Sequence, residues 1–279
     1  MRYPEILSIE AEPTTFVYDA DFTMLYALGL GCGAAPDELK FVYEKDLQAL
    51  PTMAVMMGGA SKAFIEQGGI DYTMIVHGEQ RLTLHRPLPP AGRMISEARC
   101  LGVVDKGAEK GALVNVESTA RGEDGTLHAT AIMTLFCRGD GGFGGPSDGE
   151  LTLAPVPARD PDFEIAIATL PQQAAIYRLS GDRNPLHIDP EMAKRVGFPG
   201  PILHGLCTYG IAGRAIMRAC GDNDPARIAS LDARFSSPVY PGETVTTRIW
   251  QDGNAISFEC VVATRGVTVI KNGACRLRE

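Results

Sequence analysis

Gln172-Gln173-Ala174-Ala175-Ile176-Tyr177-Arg178-Leu179-Ser180-Gly181-Asp182-Arg183-Asn184-Pro185-Leu186-His187-Ile188-Asp189-Pro190 begins as a helix and ends as a shaped loop. Pro185 removes a backbone donor and biases Asn184 away from the helical region, so neither a helix nor a central strand runs through it. The loop carries an Asp, an Asn and a His, which accept, orient and donate protons near neutral pH. Pro201-Ile202-Leu203-His204-Gly205 follows closely and opens a long apolar segment, Ile202 to Met217, expected to be a buried helix.

The same plan stands earlier in the chain. Asp19 to Leu28 places Phe22, Leu25 and Tyr26 at helical spacing behind an Asp cap, and Gly29, Gly31 and Gly33 end it. Tyr26 and Leu28 stand where Tyr177 and Leu179 stand in the later copy. Leu50-Pro51 opens a second apolar run through Met53, Val55, Met56, Met57, Ala60, Ala63 and Phe64, expected to be a buried helix whose Gly58-Gly59 pair admits a close neighbour. Ala60-Ser61-Lys62-Ala63 is echoed by Gly213-Arg214-Ala215-Ile216, and Leu84 to Arg93 by Ala233 to Glu243. Three landmarks in one order indicate an internal duplication. Extending the first copy without gaps sets Gly31 opposite Asp182 and Pro36 opposite His187, so the duplicate keeps the scaffold without the acid and the imidazole.

Gln80 to His85, Met94 to Val104, Ala112 to Ala120 and Thr126 to Cys137 have strand composition between turn signals. Gly139 to Gly149 has the composition of a flexible connector with little to bury. The division is therefore residues 1–139 as a first repeat, 140–152 as a Gly-rich linker and 153–279 as a second repeat bearing the polar loop.

A chain of 279 residues, 45% hydrophobic, can bury a substantial core, and a net charge of −8 opposes nucleic acid and acidic membrane surfaces. Seven scattered cysteines without a CxxC pair suggest reduced thiols in a cytoplasmic setting, and neither a signal peptide nor a membrane-spanning stretch is expected.

Asp182 and His187 can share one water, Asn184 can fix their geometry, and the amide of Gly205 at a helix start can stabilise charge growing on a carbonyl oxygen. Together these suit adding or removing water beside a carbonyl. His204 is expected to serve packing or the helix start, the methionines Met53, Met56 and Met57 the core, and Asp189 a helix cap. His77, His85 and His128 are expected to be structural or solvent-facing, with Glu79-Gln80 a mark of unknown role.

Ser180-Gly181-Asp182-Arg183-Asn184-Pro185-Leu186-His187 with Ile202-Leu203-His204-Gly205 resembles the signature of the MaoC-like R-specific enoyl-CoA hydratases. Leu25-Tyr26-Ala27-Leu28-Gly29, Leu39 to Glu44, Leu50-Pro51-Thr52, His77-Gly78-Glu79-Gln80 and Gly141 to Gly145 resemble the hydratase domain of peroxisomal multifunctional enzyme type 2. The resemblance implies an α+β double hotdog, each half an antiparallel sheet wrapped around a central helix, with the first half accommodating the acyl chain. It implies Asp182 and His187 as acid and base, Asn184 as their positioning partner and Gly205 as the donor to a thioester oxygen. It further implies an acyl-CoA thioester substrate, a homodimer, and no metal or other cofactor, coenzyme A being part of the substrate. Arg234 is a candidate contact for the coenzyme A phosphates, with a solvated or paired arginine as the alternative. The rivals are a biosynthetic 3-hydroxyacyl dehydratase, a thioesterase and a non-catalytic acyl-CoA-binding protein.

Overall fold

The computed structural model of the protein describes residues 1–59 and 61–279, Ser61 by its backbone. Among the described residues ten strands form one antiparallel sheet: β1 Thr14–Tyr18, β2 Ile75–Leu84, β3 Gly92–Asp105, β4 Ala112–Gly122, β5 Leu127–Cys137, β6 Phe163–Ala168, β7 Ile228–Phe235, β8 Thr244–Asp252, β9 Ala255–Val262 and β10 Val267–Leu277. Their order is β1-β3-β4-β5-β2-β7-β10-β9-β8-β6. Outward from the centre, β2-β5-β4-β3-β1 is answered by β7-β10-β9-β8-β6, the same order in the second copy. The halves are stitched at β2 and β7, in register from Glu79 opposite Arg234 to Thr83 opposite Ser230. This is the expected α+β double hotdog.

The α-helices described are α1 Ala20–Gly29, α2 Ser61–Gln67, α3 Gln173–Tyr177, α4 Pro190–Arg195 and α5 Gly205–Cys220. Asp19 caps α1 by accepting from the Phe22 amide at 2.9 Å, and Asp189 caps α4 by accepting from Glu191 at 2.9 Å. The aligned Tyr26 and Tyr177 are both buried and face each other with ring centroids 5.9 Å apart.

The central helices of the two halves differ. In the second half, α5 is the expected continuous helix, buried on nearly every side and grooved by glycines. A Cβ on Gly210 would stand 2.6 Å from Leu30, and one on Gly213 would stand 2.9 Å from Thr52, so the first half packs onto α5 through the missing side chains. In the first half the expected buried helix is broken into a 3-10 helix, Pro51–Met57, and the short α2. The break falls at Gly58-Gly59, where a Cβ on Gly58 would lie 2.6 Å from Ser118 on β4 and one on Gly59 would lie 3.0 Å from Thr14 on β1. The close approach foreseen from that pair is therefore made by strands. Ala60, part of the echo of Gly213-Arg214-Ala215-Ile216, lies outside the described residues.

The connector is tied down rather than loose. Asp105 on β3 accepts from the amides of Gly142 at 2.7 Å and Gly144 at 2.8 Å, and the buried Asp140 carboxylate accepts from the Asp71 amide at 3.2 Å. Composition alone hid this, because glycine amides are as good donors as any others once a carboxylate is brought to them.

A buried ion pair clasps the halves together. Arg214 on α5 donates from Nε to Glu38 Oε1 at 2.7 Å and from Nη1 to the Leu30 carbonyl at 3.2 Å, while Glu38 Oε2 accepts from the Gly33 amide at 3.1 Å.

Candidate active site

The loop after α3 is held open by its own backbone chemistry. Gly181 takes φ +128°, a conformation that side chains rarely adopt, and turns the chain so that Asp182 leaves the helix direction. The Asn184 amide donates to Asp182 Oδ1 at 3.2 Å, and Asn184 Oδ1 accepts from the Leu186 amide at 3.0 Å, capping the 3-10 turn Pro185–His187. Asn184 thus positions Asp182 through its backbone and His187 through its side chain. Pro185 is at the first position of that turn, where a missing N–H costs nothing.

His187 is buried, and its Nδ1 donates to the Ile202 carbonyl at 2.8 Å. A carbonyl can only accept, so Nδ1 carries the proton and Nε2 of the neutral ring holds a free lone pair. Burial pushes the His187 pKa below its ordinary value, against the opposing pull of the Ile202 carbonyl and the Asp182 charge. The ring is therefore kept in the form that takes up a proton.

His204 is fully buried and is the N-cap residue of α5. Its ring stacks on His187 with centroids 3.7 Å apart and planes at 26°, and its Nε2 donates to the Asp182 carbonyl at 3.2 Å. The packing and helix-start role expected for it is what the structure displays, and it also tethers the loop backbone at the acid. Burial, then the neighbouring His187, push its pKa down to about 4. Asp182, His187 and His204 bring polar side-chain atoms within 4.8 Å of one another.

Gly205 is the first residue of α5, and its amide finds no acceptor among the described residues. A Cβ there would lie 3.4 Å from the Phe235 ring. The structure brings Asp182, Asn184, His187 and Gly205 to one end of α5, the constellation anticipated from the loop.

Arg234 is on β7, next to Phe235. Leu231 and Ala233 on β7 point into the core, so Arg234 projects from the outer face, half exposed, with Nε 3.9 Å from Glu79 Oε1. Arg234 is thus an exposed arginine with one distant acidic neighbour. A cavity of about 180 Å³ also stands apart from the dyad, at the start of the 3-10 helix Pro51–Met57 between Leu84, Leu88 and Arg278. Its arginine is committed to the carbonyls of Ala226 and Leu84, and it holds no acid and base pair.

His77, expected to be structural or solvent-facing, lies on β2. Its ring meets Phe235 edge-on, with centroids 5.0 Å apart, and Phe235 in turn packs against Gly205. His85 is exposed and bonded to Thr130 Oγ1, and His128 is half-buried and bonded to the Pro87 carbonyl.

The profile of the MaoC like domain matches residues 152–273, and that of the MFE-2 hydratase 2 N-terminal domain matches residues 16–139. Enoyl-CoA hydratase ChsH3 of Mycobacterium tuberculosis is 40% identical, over 96% of this chain and 95% of its own length. The chain belongs to the MaoC-like enoyl-CoA hydratase 2 family. A second relative from the same organism, 3-hydroxyacyl-thioester dehydratase Y, is 43% identical over 97% of both chains. Among solved structures, a MaoC-like dehydratase from Phytophthora capsici superposes with a TM-score of 0.89 at 35% identity, over all of this chain and 99% of that one. The resemblance noted from the loop and from the first half is thus shared along nearly the whole length.

Proposed function

We propose that the protein is an R-specific enoyl-CoA hydratase, a hydro-lyase that adds water reversibly and syn to a trans-2-enoyl-CoA to give the (3R)-3-hydroxyacyl-CoA. The observation that carries this reading is the pairing, at the open start of α5, of a histidine with a free Nε2 lone pair and an aspartate within 4.8 Å. A water held between them loses a proton to one member while its oxygen attacks C3. The electron pair of the C2–C3 double bond moves onto the thioester carbonyl, where the unpartnered Gly205 amide meets the enolate oxygen. A proton returns to C2 from the dyad on the same face, so the elements of one water are added. The tautomer of His187 favours it as the group that first takes the proton, with Asp182 orienting the water and raising the imidazole's basicity.

The polarising group is an amide and the proton carriers are side chains, so the chemistry calls for no metal or redox cofactor. Turnover should therefore survive exhaustive chelation.

The acyl chain is assigned to the first half. Met56 reaches the loop there, with its Sδ accepting from the Tyr177 hydroxyl at 3.6 Å. Beyond it the small side chains of Ala54, Ser118, Ala120, Ala129 and Ala131, with Gly58, pack together where the first half lacks a continuous helix.

The test is a panel of trans-2-enoyl-CoA esters of increasing chain length, followed by loss of enoyl absorbance and chiral analysis of the product. An S product, or binding without loss of absorbance, contradicts the reading. The name of the dehydratase relative favours a second reading, the same reaction run toward the enoyl thioester in biosynthesis. Equilibrium binding sites are common to both directions, so carrier-protein thioesters compared with CoA thioesters separate them. A cytoplasmic homodimer completes the proposal: seven free cysteines suit a reducing compartment, and light scattering checks the mass. No helix among the described residues is long and apolar enough to cross a membrane.

A further inference from the structure

Pro201 to His204 lies outside any helix or strand, yet it carries what fixes the dyad. Its Ile202 carbonyl sets the His187 tautomer, and its end sets the Gly205 amide. A backbone bond ties it to the loop after β7, the Leu203 amide donating to the Val239 carbonyl at 2.7 Å.

Val239 belongs to the loop from Ser236 to Glu243, which joins β7 to β8. Pro238 and Pro241 remove two amides from it, so it has few donors with which to fix its own shape. Arg265, on the 3-10 turn Ala263–Arg265 between β9 and β10, holds it from outside. The guanidinium donates through Nη2 to the Pro238 carbonyl at 2.6 Å and to Glu243 Oε2 at 2.9 Å, and through Nε to Glu243 Oε1. Glu243 Oε2 also accepts from the Tyr240 amide at 2.7 Å, and the guanidinium carbon stands 5.1 Å from the centre of the Tyr240 ring. Both neighbours of Val239 are thus held by one charged unit.

The first repeat offers a control. Arg93 stands where Glu243 stands, and Glu123 is in the β4–β5 turn, the counterpart of the β9–β10 turn that bears Arg265. That pair has its charges exchanged, meets at 3.8 Å and has both side chains more than half exposed. The side chains of Arg265 and Glu243 are 30% and 16% exposed. The tight clamp is in the repeat that has a base to orient.

We infer that Arg265 is a positioning residue for His187. It holds the Val239 carbonyl on the Leu203 amide, and thereby the Ile202 carbonyl on the Nδ1–H of His187 and the Gly205 amide at the start of α5. Arginine's fork spans a carboxylate and a carbonyl together, which the single ammonium of lysine does not. When the segment drifts, Nδ1–H loses its acceptor and the tautomer protonated at Nε2 is populated. In that fraction of molecules the lone pair that takes the water proton is gone. The effect on turnover rests on the hydratase reading above, whereas the effect on the tautomer does not.

The experiment compares wild type with Arg265→Met, Arg265→Lys and, as the first-repeat counterpart, Arg93→Met. Imidazole nitrogen NMR above the ordinary histidine pKa reads the tautomer, the His187 signals being those lost in His187→Ala. Wild type is expected to show Nδ1–H alone, Arg265→Met a mixture with Nε2–H, and Arg265→Lys a smaller admixture. On a trans-2-enoyl-CoA, kcat is expected to fall about tenfold in Arg265→Met with KM little changed, and less in Arg265→Lys. Arg93→Met should move neither readout. Should Arg265→Met not fold, Arg265→Lys is read in the same way. The wild-type tautomer alone in a folded Arg265 variant, or an equal loss of kcat in Arg93→Met, overturns the role. A wild type inert toward every enoyl thioester refutes the hydratase reading, and the tautomer comparison still decides what Arg265 does.

Discussion

The first and second repeats share a strand order and a short helix carrying an aligned buried tyrosine, yet they treat the start of their central helix in opposite ways. In the second, α5 begins at Gly205 behind His204 and runs unbroken to Cys220. In the first, a 3-10 helix begins at Pro51 behind Leu50 and stops at Met57. Proline and glycine both suit a helix start, but only glycine has an N–H to offer an oxyanion. The loops before them differ likewise: Asp182 and His187 in one copy, Gly31 and Pro36 at the gapless counterparts in the other. One copy keeps the donor and the polar side chains, and the other gives up a continuous helix. Duplication lets each hotdog be specialised without either fold being lost.

Removing the polar loop's chemistry should erase this difference most fully. Asp182→Asn and His187→Ala are each expected to lower kcat by about 10³-fold or more with circular dichroism unchanged, and near-normal turnover in a folded variant would put the second repeat on a level with the first. Loosening the clasp between the repeats should come next. Glu38 is 1% exposed, so Glu38→Gln leaves Arg214 charged and buried without its carboxylate, for an expected loss of about 3–5 kcal/mol in urea unfolding. Adding Arg214→Met should recover part of that loss, and failure to do so would mean that the pair does not act as a unit.

Gly205→Pro makes the second repeat imitate the first. His204 has φ −57° and ψ +133°, the region a residue before proline prefers, so the helix start should accept the change while losing the amide donor. The expected drop in kcat is about 10²-fold, and Gly205→Ala, which keeps the N–H and adds only a Cβ beside Phe235, should cost much less. Equal effects would shift the explanation from the oxyanion to crowding.

The smallest effect concerns acid. His204 in the second repeat and His77 in the first are both pushed down to about 4 by burial, so the unfolded chain takes up more protons once pH falls below the ordinary histidine value of 6.5. Stability present above that pH is lost on going down toward about 4. The Tm of the wild type should fall across that window, and His204→Phe and His77→Phe should each flatten the slope. The same sign applies to activity: with its pKa lowered, His187 stays neutral below the ordinary range, and the acid limb of kcat/KM should lie below pH 6.5.

Much of this was legible in one dimension because its causes are local. Pro185 and Gly181 force a loop, Asp19 and Asp189 cap helices through their own neighbours, and Tyr26 and Tyr177 mark the duplicated frame, all within a few residues along the chain. The dyad, its asparagine and the glycine at the helix start follow from that same short range. Glu38 with Arg214, His77 with Phe235, and Arg234 with Glu79 were not legible, since each partner comes from the other repeat and nothing near either residue announces the other.

The amino-acid sequence therefore determined the repeat, the polar loop and the residues able to move protons, because turn chemistry, caps and hydrophobic spacing act between neighbours. The tertiary structure decided which nitrogen of His187 is free, that the first central helix breaks where β4 and β1 press on Gly58-Gly59, and that Arg234 faces outward. It also carried a histidine of the first half against Phe235, which packs on the start of α5 in the second. These depend on which strand faces meet across the joined sheet, and a strand's face is set by register and bulges that only the folded pairing fixes.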